Sequence, residues 1–312
     1  MQFGDSYFEG ETREDFYIRP MMKRAWAAQL EILQEIDRIC KKHNIIYFAD
    51  WGTLLGAVRH KGFIPWDDDL DIGMRREDYD RFMYYGPKEL SGGMELINSY
   101  TESEYHQIMG RVVNGRGLNL SREYLDKYHG CPYMVGVDIF PQDYIPRDKQ
   151  DEKDQLELLK AANLLMKIWE SEDSSREEKQ SCLEELANLT GVPIDPDVPI
   201  QQQLCRLSDR ICAMYSSEES DEMAQLCLLA SDENYRLPKS CYAVMIDMPF
   251  ENTTIPVPVG YDQILRLRYG EDYMTPVKHW NTHTYPFYKP QEEMLKELCK
   301  SVNKEMPRGF VE

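Results

Sequence analysis

The chain has 312 residues, with 36 Lys and Arg against 55 Asp and Glu, for a formal charge of −19. That length supports one elaborated domain or two smaller ones, and that charge disfavours general binding to nucleic acid or to an anionic membrane surface. No run approaches the ~20 apolar residues that span a bilayer. The first twenty residues carry Asp5, Glu9, Glu11, Glu14 and Asp15 where a secretory signal would be apolar, so a soluble cytoplasmic protein is expected. Eight cysteines (40, 131, 182, 205, 212, 227, 241 and 299) lack metal-ligand spacing and read as reduced thiols packed in helices.

From Pro20 to His43, Met22, Trp26, Leu30, Leu33, Ile36 and Cys40 recur at helical spacing, with Asn44 as the stop, which predicts a packing helix. Ile45 to Ala49 reads as a buried strand, Gly52 to His60 as a short helix entered through a Gly-Thr turn, and Asp69 to Met74 as a second strand. A helix follows from about Arg76 to Leu90, then strands at Glu95 to Tyr100, Gln107 to Val113 and Met134 to Phe140. Between Asp148 and Ser231 the composition turns charged, leucine-rich and helical. The proline-rich stretch Gly191 to Pro199 divides this block into two helical hairpins, an insertion within a single domain of residues 1–312. Tyr242 to Met248 and Thr254 to Val259 then read as paired strands, Asp262 to Tyr269 as a helix, and Glu292 to Lys304 as a closing amphipathic helix.

The chemistry concentrates in Pro65-Trp66-Asp67-Asp68-Asp69-Leu70-Asp71-Ile72-Gly73. Four carboxylates in five residues repel one another unless something positive sits among them. On a strand, Asp67, Asp69 and Asp71 project to one face, and Asp68, Leu70 and Ile72 to the other. An all-oxygen ligand set suits Mg2+ or Mn2+ better than zinc. A calcium loop is excluded, because it needs glycine where the chain has Ile72 and glutamate where it has Asp78. A merely solvated acidic turn is disfavoured by the interleaved Leu70 and Ile72 and the flanking Trp66.

Three further features join this segment. The turn at Gly52 and Thr53 opens a helix whose free N–H groups favour an anion, although an ordinary helix cap reads the same way. Asp138 is a lone acid in the apolar run Val135 to Pro141; it is either the third ligand of a metal site or the partner of an arginine such as Arg111. Arg59, His60 and Lys61 form a compact cationic cluster, read either as phosphate contacts or as a solvated helix end.

The stretch from Gly52 to Gly73, followed by Asp78-Tyr79-Asp80-Arg81-Phe82, resembles the LicD family of the nucleotidyltransferase fold superfamily. That family includes bacterial phosphocholine transferases, and the fukutin-related ribitol-phosphate transferase is similar. Later matches are Gly136 to Pro141, Phe250-Glu251 with Pro256-Val257-Pro258, and Tyr269-Gly270 with Asp272-Tyr273-Met274. Together they cover about residues 25 to 280, apart from the helical block.

The resemblance implies an α/β (α+β) core, a mixed sheet flanked by helices. Gly52 and Thr53 would lie at nucleotide phosphates, with Asp69, Asp71 and Asp138 as ligands of Mg2+ or Mn2+. It also implies transfer of a phospho-alcohol, phosphocholine first, from a CDP-linked donor to a hydroxyl of a glycan or glycolipid precursor with release of CMP, Asp138 being one carboxylate able to take the hydroxyl proton. The alternatives are a nucleotidyltransferase that releases pyrophosphate and a non-catalytic nucleotide-binding scaffold. The helical block 148–231 matches no family motif and is expected either to help select the acceptor or to act as a structural cap; no cysteine-based zinc element is evident.

Overall fold

The computed structural model describes residues 1–231, 235–278 and 285–301. In chain order the elements are β1 (Glu11–Arg13), β2 (Phe16–Ile18), α1 (Pro20–His43), β3 (Tyr47–Ala49), α2 (Trp51–Arg59), β4 (Asp71–Arg75), α3 (Arg76–Glu89), β5 (Glu95–Ile97), β6 (Gly110–Val113), α4 (Arg122–Lys127) and β7 (Gly136–Pro146). There follow α5 (Lys149–Glu170), α6 (Arg176–Thr190), α7 (Ile200–Cys212), β8 (Ser220–Ala224), α8 (Leu226–Leu229), β9 (Leu237–Pro238), β10 (Met245–Phe250), β11 (Thr253–Pro258), α9 (Tyr261–Tyr269) and α10 (Lys289–Ser301). The fold is α+β, a mixed sheet flanked by helices. Among the described residues, no helix is long and apolar enough to cross a membrane.

The sheet runs β3-β4-β7-β6-β5, with β8 and β9 continuing from the far half of β7. Among the described residues only β4 and β7 are parallel neighbours, and their register sets Asp71 opposite Asp138. Two residues far apart in sequence are thus brought side by side by backbone pairing alone.

Helix α1 begins at a proline, which lacks an N–H that the first turn cannot use, and ends at Asn44 in the left-handed region. Its buried face carries Trp26, Leu30 and Ile36, all fully enclosed. The same face reaches the acid segment: Trp26 Nε1 donates to the Asp67 carbonyl at 3.1 Å, and the buried Gln29 amide donates to the Asp68 carbonyl at 2.7 Å.

Those two bonds correct the expected strand. Regular strand structure starts at Asp71, not Asp69, because the Asp67 and Asp68 carbonyls are taken by α1 instead of a neighbouring strand. The alternation survives in burial, with Asp68 and Leu70 enclosed and Asp67 and Asp69 half-buried. Another departure is the hairpin β1–β2, which the sequence reading did not anticipate. Its turn residues Glu14 and Asp15 both have positive φ, as a tight hairpin requires, without the glycine that usually marks one.

The 148–231 block holds the expected hairpin α5–α6 before the proline-rich stretch, but after it α7 is followed by strand β8 and the short helix α8 instead of completing a second helical hairpin. Met223 and Ala224 are buried where β8 pairs with the end of β7, so the block is joined to the main sheet as well as packed on it. It has its own apolar cluster, including Leu159, Leu183, Leu204 and Leu229. Helix α10 starts at Lys289, ahead of the expected Glu292; residues 302–304 of that expectation lie outside the described residues.

Buried Arg76 fastens the block to the core. Its Nε donates to Asp143 of β7 at 2.6 Å, and its Nη1 reaches Asp209 of α7 at 2.9 Å and Asp80 at 3.3 Å. Burial pushes the Asp143 carboxyl up to about 6, against the opposing pull of Arg76. A carboxyl raised above its ordinary 3.8 on folding binds its proton more readily in the folded state. Its contribution is therefore most favourable below about pH 4 and is lost as pH rises through about 6. Asp143→Asn resembles the protonated form, so its stability relative to the native chain should improve between pH 4.5 and 7. A urea-midpoint difference that does not change over that interval would refute this.

Candidate functional site

The acids meet where α2, the Asp67–Asp69 loop and the starts of β4 and β7 converge. One carboxylate oxygen from each of Asp67, Asp68 and Asp69 lies within 4.8 Å of the others. This trio is consecutive in the loop, whereas the expected ligand set was Asp69, Asp71 and Asp138. Asp71 is coupled to the trio electrically. Burial, then the charges of Asp69, Asp138, Asp67 and Asp50, hold its carboxyl well above the usual range. Asp67 is raised in the same way by burial, then by Asp69 and Asp68. Burial and mutual repulsion thus favour the protonated forms of these carboxyls. The donor set therefore fits a hard divalent cation, which would take the place of those protons.

Each sequence-selected residue has a definite place. Asp68 faces inward, where its Oδ2 accepts the Phe287 N–H at 2.7 Å. It anchors the segment leading into α10 while one of its carboxylate oxygens stays within 4.8 Å of those of Asp67 and Asp69, closer than side chains on opposite strand faces would stand. Asp138 forms a two-point ion pair with Arg111, Nε to Oδ1 and Nη2 to Oδ2, the latter at 2.6 Å. The arginine pairing expected of Asp138 is thus observed, and the strand register also sets Asp138 beside Asp71. Arg111 takes one lone pair of each oxygen and leaves the other.

Thr53 is buried, and its hydroxyl accepts the Asp71 N–H at 2.8 Å, tying the first turn of α2 to the first residue of β4. The N-cap residue, Asp50, makes no side-chain capping bond, and the first N–H groups of a helix have no intrahelical partner. Gly52 is a close-approach position: a Cβ there would stand 2.4 Å from Asp67 Oδ2. Gly52→Ala should therefore displace the Asp67 carboxylate with little effect on folding, lowering kcat/KM by about 10–100-fold, as misplacement of about an ångström does. Unchanged kcat/KM in a folded Gly52→Ala protein would remove Asp67 from the site.

The cationic trio is not brought to this convergence. Arg59 and His60 lie at the far end of α2, roughly 10 Å along the axis from Gly52. Arg59 donates to the carbonyls of Tyr273 at 2.8 Å and Thr275 at 3.4 Å, and His60 Nε2 lies 3.3 Å from Glu14. Burial, then Arg59, lower the His60 pKa. Lys61 is exposed, and its carbonyl accepts the Glu251 N–H. Trp66 is buried, with the His60 and Phe16 rings edge-on at 6.0 and 6.3 Å and Lys278 Nζ 5.7 Å from its ring centre.

The sequence reading missed Asp50 and Arg268. Asp50 precedes α2 and is fully enclosed; its Oδ2 accepts from Gln142 and Gln225, each at 3.0 Å, and its Oδ1 pairs with Arg268 of α9. The Arg268 guanidinium also lies 4.1 Å over the Trp51 ring, and Trp51 holds a left-handed backbone with φ 43. A lone acid after the apolar run Ile45 to Ala49 was the same signal that singled out Asp138. Nothing local marked Arg268.

Residues 44–156 match the family model described as LicD/FKTN/FKRP, nucleotidyltransferase domain, and so include Asp50, Gly52, Thr53, Asp67, Asp68, Asp69, Asp71, Arg111 and Asp138. The chain carries a LicD-family domain. Over 54 residues it is 52% identical to the lipopolysaccharide cholinephosphotransferase LicD of Haemophilus influenzae, covering 17% of this chain and 20% of that protein. An uncharacterized protein of Rickettsia typhi is 47% identical over 58 residues, 19% of each chain. The ribitol 5-phosphate transferase FKRP of Mus musculus is 40% identical over 53 residues, 16% of this chain and 11% of that protein. The matched segments thus span a fifth or less of these curated relatives.

Proposed function

We propose that this LicD-family chain is a divalent-metal-dependent transferase that moves a phospho-alcohol, phosphocholine first, from a CDP-linked donor to a hydroxyl of a glycan or glycolipid precursor. The observation that carries this reading is the convergence of Asp69, Asp71 and Asp138 with the uncapped start of α2 at Gly52 and Thr53. The names of the Haemophilus and mouse relatives support the class of group transferred.

In this reading Asp69 and Asp71 hold Mg2+ or Mn2+, and Asp138 contributes the lone pairs that Arg111 leaves. The metal, when bound, supplies charge neutralisation across the donor's bridging phosphates. The first-turn N–H groups of α2 orient the same phosphates, and Thr53 keeps that turn in register with Asp71. Asp138, already bonded by Arg111 through both oxygens, serves better as a ligand than as a base. Asp67 in its ionised form, with a proton affinity raised by burial and by Asp69, would be better suited to take the proton of the attacking hydroxyl.

A panel of CDP-choline, CDP-ribitol, CDP-glycerol, CTP and ATP, with and without Mg2+, tests the reading by the product released. CMP release that needs the metal is expected. Pyrophosphate release instead would make the chain a nucleotidyltransferase, and neither product would make it a scaffold.

A further inference from the structure

Between the N-terminal hairpin and α10 lies a cavity of about 530 Å3. Its walls include the rings of Phe16, Tyr17 and Tyr285. Phe16 is locked edge-on between Trp66 at 6.3 Å and Tyr285 at 5.9 Å. Tyr17 is 56% exposed, yet it is seated: a Cβ on Gly10 would lie 2.2 Å from its hydroxyl, so the glycine leaves the room that the hydroxyl occupies. An aromatic ring exposed on a fixed backbone beside a cavity is a surface on which a ligand can stack.

The remaining lining is charged in both senses, Arg19, Lys289 and Lys296 against Glu292 and Glu293. Three cations disfavour a quaternary ammonium group, and two glutamates disfavour an anion such as a nucleotide phosphate. A neutral, hydroxyl-rich ring is favoured by all of them, since its apolar face stacks on an aromatic ring while its hydroxyls both donate and accept. Two contacts link the cavity to the acid segment: its Phe16 ring packs on Trp66, the residue before Asp67, and Phe287, next to its Pro286, donates its N–H to Asp68. We infer that this cavity binds a neutral sugar unit of the acceptor, with Tyr17 as its stacking platform. The inference rests on the transferase reading for the word acceptor, but the binding it asserts requires neither donor nor metal.

Saturation-transfer NMR with methyl β-glucopyranoside, methyl β-galactopyranoside and the methyl glycoside of N-acetylglucosamine, without donor or metal, tests it. At least one sugar should bind the intact chain, with a loss of threefold or more in Tyr17→Ala and no change in Leu189→Ala, whose exposed side chain lies on α6. Lys289→Ala supplies a second lesion in the cavity and should also weaken binding. Circular dichroism and melting temperature establish that each variant is folded. The idea is overturned if no sugar binds, if folded Tyr17→Ala and Lys289→Ala both bind as the native chain does, or if choline displaces the sugar. Sugar binding without CMP release from any donor would sink the transferase reading alone; CMP release without sugar binding would sink this one alone.

Discussion

Asp69→Asn and Asp71→Asn should each abolish turnover, by on the order of 10²–10³-fold or more, while leaving the chain folded. Without added metal, each variant should be at least as heat-stable as the native protein. The reason is electrostatic: Asp69 heads the charges that raise the Asp71 carboxyl, and Asp71 is buried among Asp69, Asp138, Asp67 and Asp50. Removing one carboxylate charge relieves the others. Saturating Mg2+ should then raise the melting temperature of the native chain and have less effect on either variant, because only the native site binds the ion fully. Undiminished CMP release in either variant would remove the metal-site argument. Asp68→Asn should be milder, since Asp68 turns inward to the Phe287 N–H, and an amide oxygen can accept that bond. Equal loss in Asp68→Asn and Asp69→Asn would place Asp68 among the ligands.

The second large effect is expected far from the acid motif in sequence. Arg268→Met should cost about 3–5 kcal/mol of stability, as breaking a buried ion pair does when one charge is left behind. The side chains of Arg268 and Asp50 are 4% and 1% exposed, so water cannot take over from the lost partner. The same change removes the guanidinium from over Trp51, at the entry to α2, and activity should fall with stability. Adding Asp50→Asn to Arg268→Met should recover much of the loss, because the carboxamide oxygen can still accept from Gln142 and Gln225. Urea unfolding of the two single variants and the double variant measures the coupling. Strictly additive costs, or a cost below about 1 kcal/mol for Arg268→Met, would show the pair to be unimportant.

Local pattern was enough for much of this protein. Apolar periodicity with a proline start and an asparagine stop defined α1 to the residue, and the interleaving of Asp68 and Leu70 with half-buried Asp67 and Asp69 was legible because neighbouring side chains alternate. The acid segment, the turn at Gly52 and the candidacy of Asp138 were legible too, since clustered or isolated carboxylates among apolar residues carry a desolvation cost that needs a reason. The hairpin β1–β2 was not, because its turn takes positive φ without glycine, and β8 was hidden by its acids and by the helices around it.

What tertiary structure alone decided is who stands beside whom. The parallel register of β4 and β7 sets Asp138 against Asp71, two residues whose own neighbourhoods say nothing of each other. Gln29 and Trp26 take the loop carbonyls and so delay the strand to Asp71. Helix α2 carries Arg59 and His60 away from the acids, while α9 delivers Arg268 to Asp50 across more than two hundred residues. Sequence determines a residue's chemistry and its local periodicity. Partnership between distant charges depends on chain crossings and register, which no local window contains.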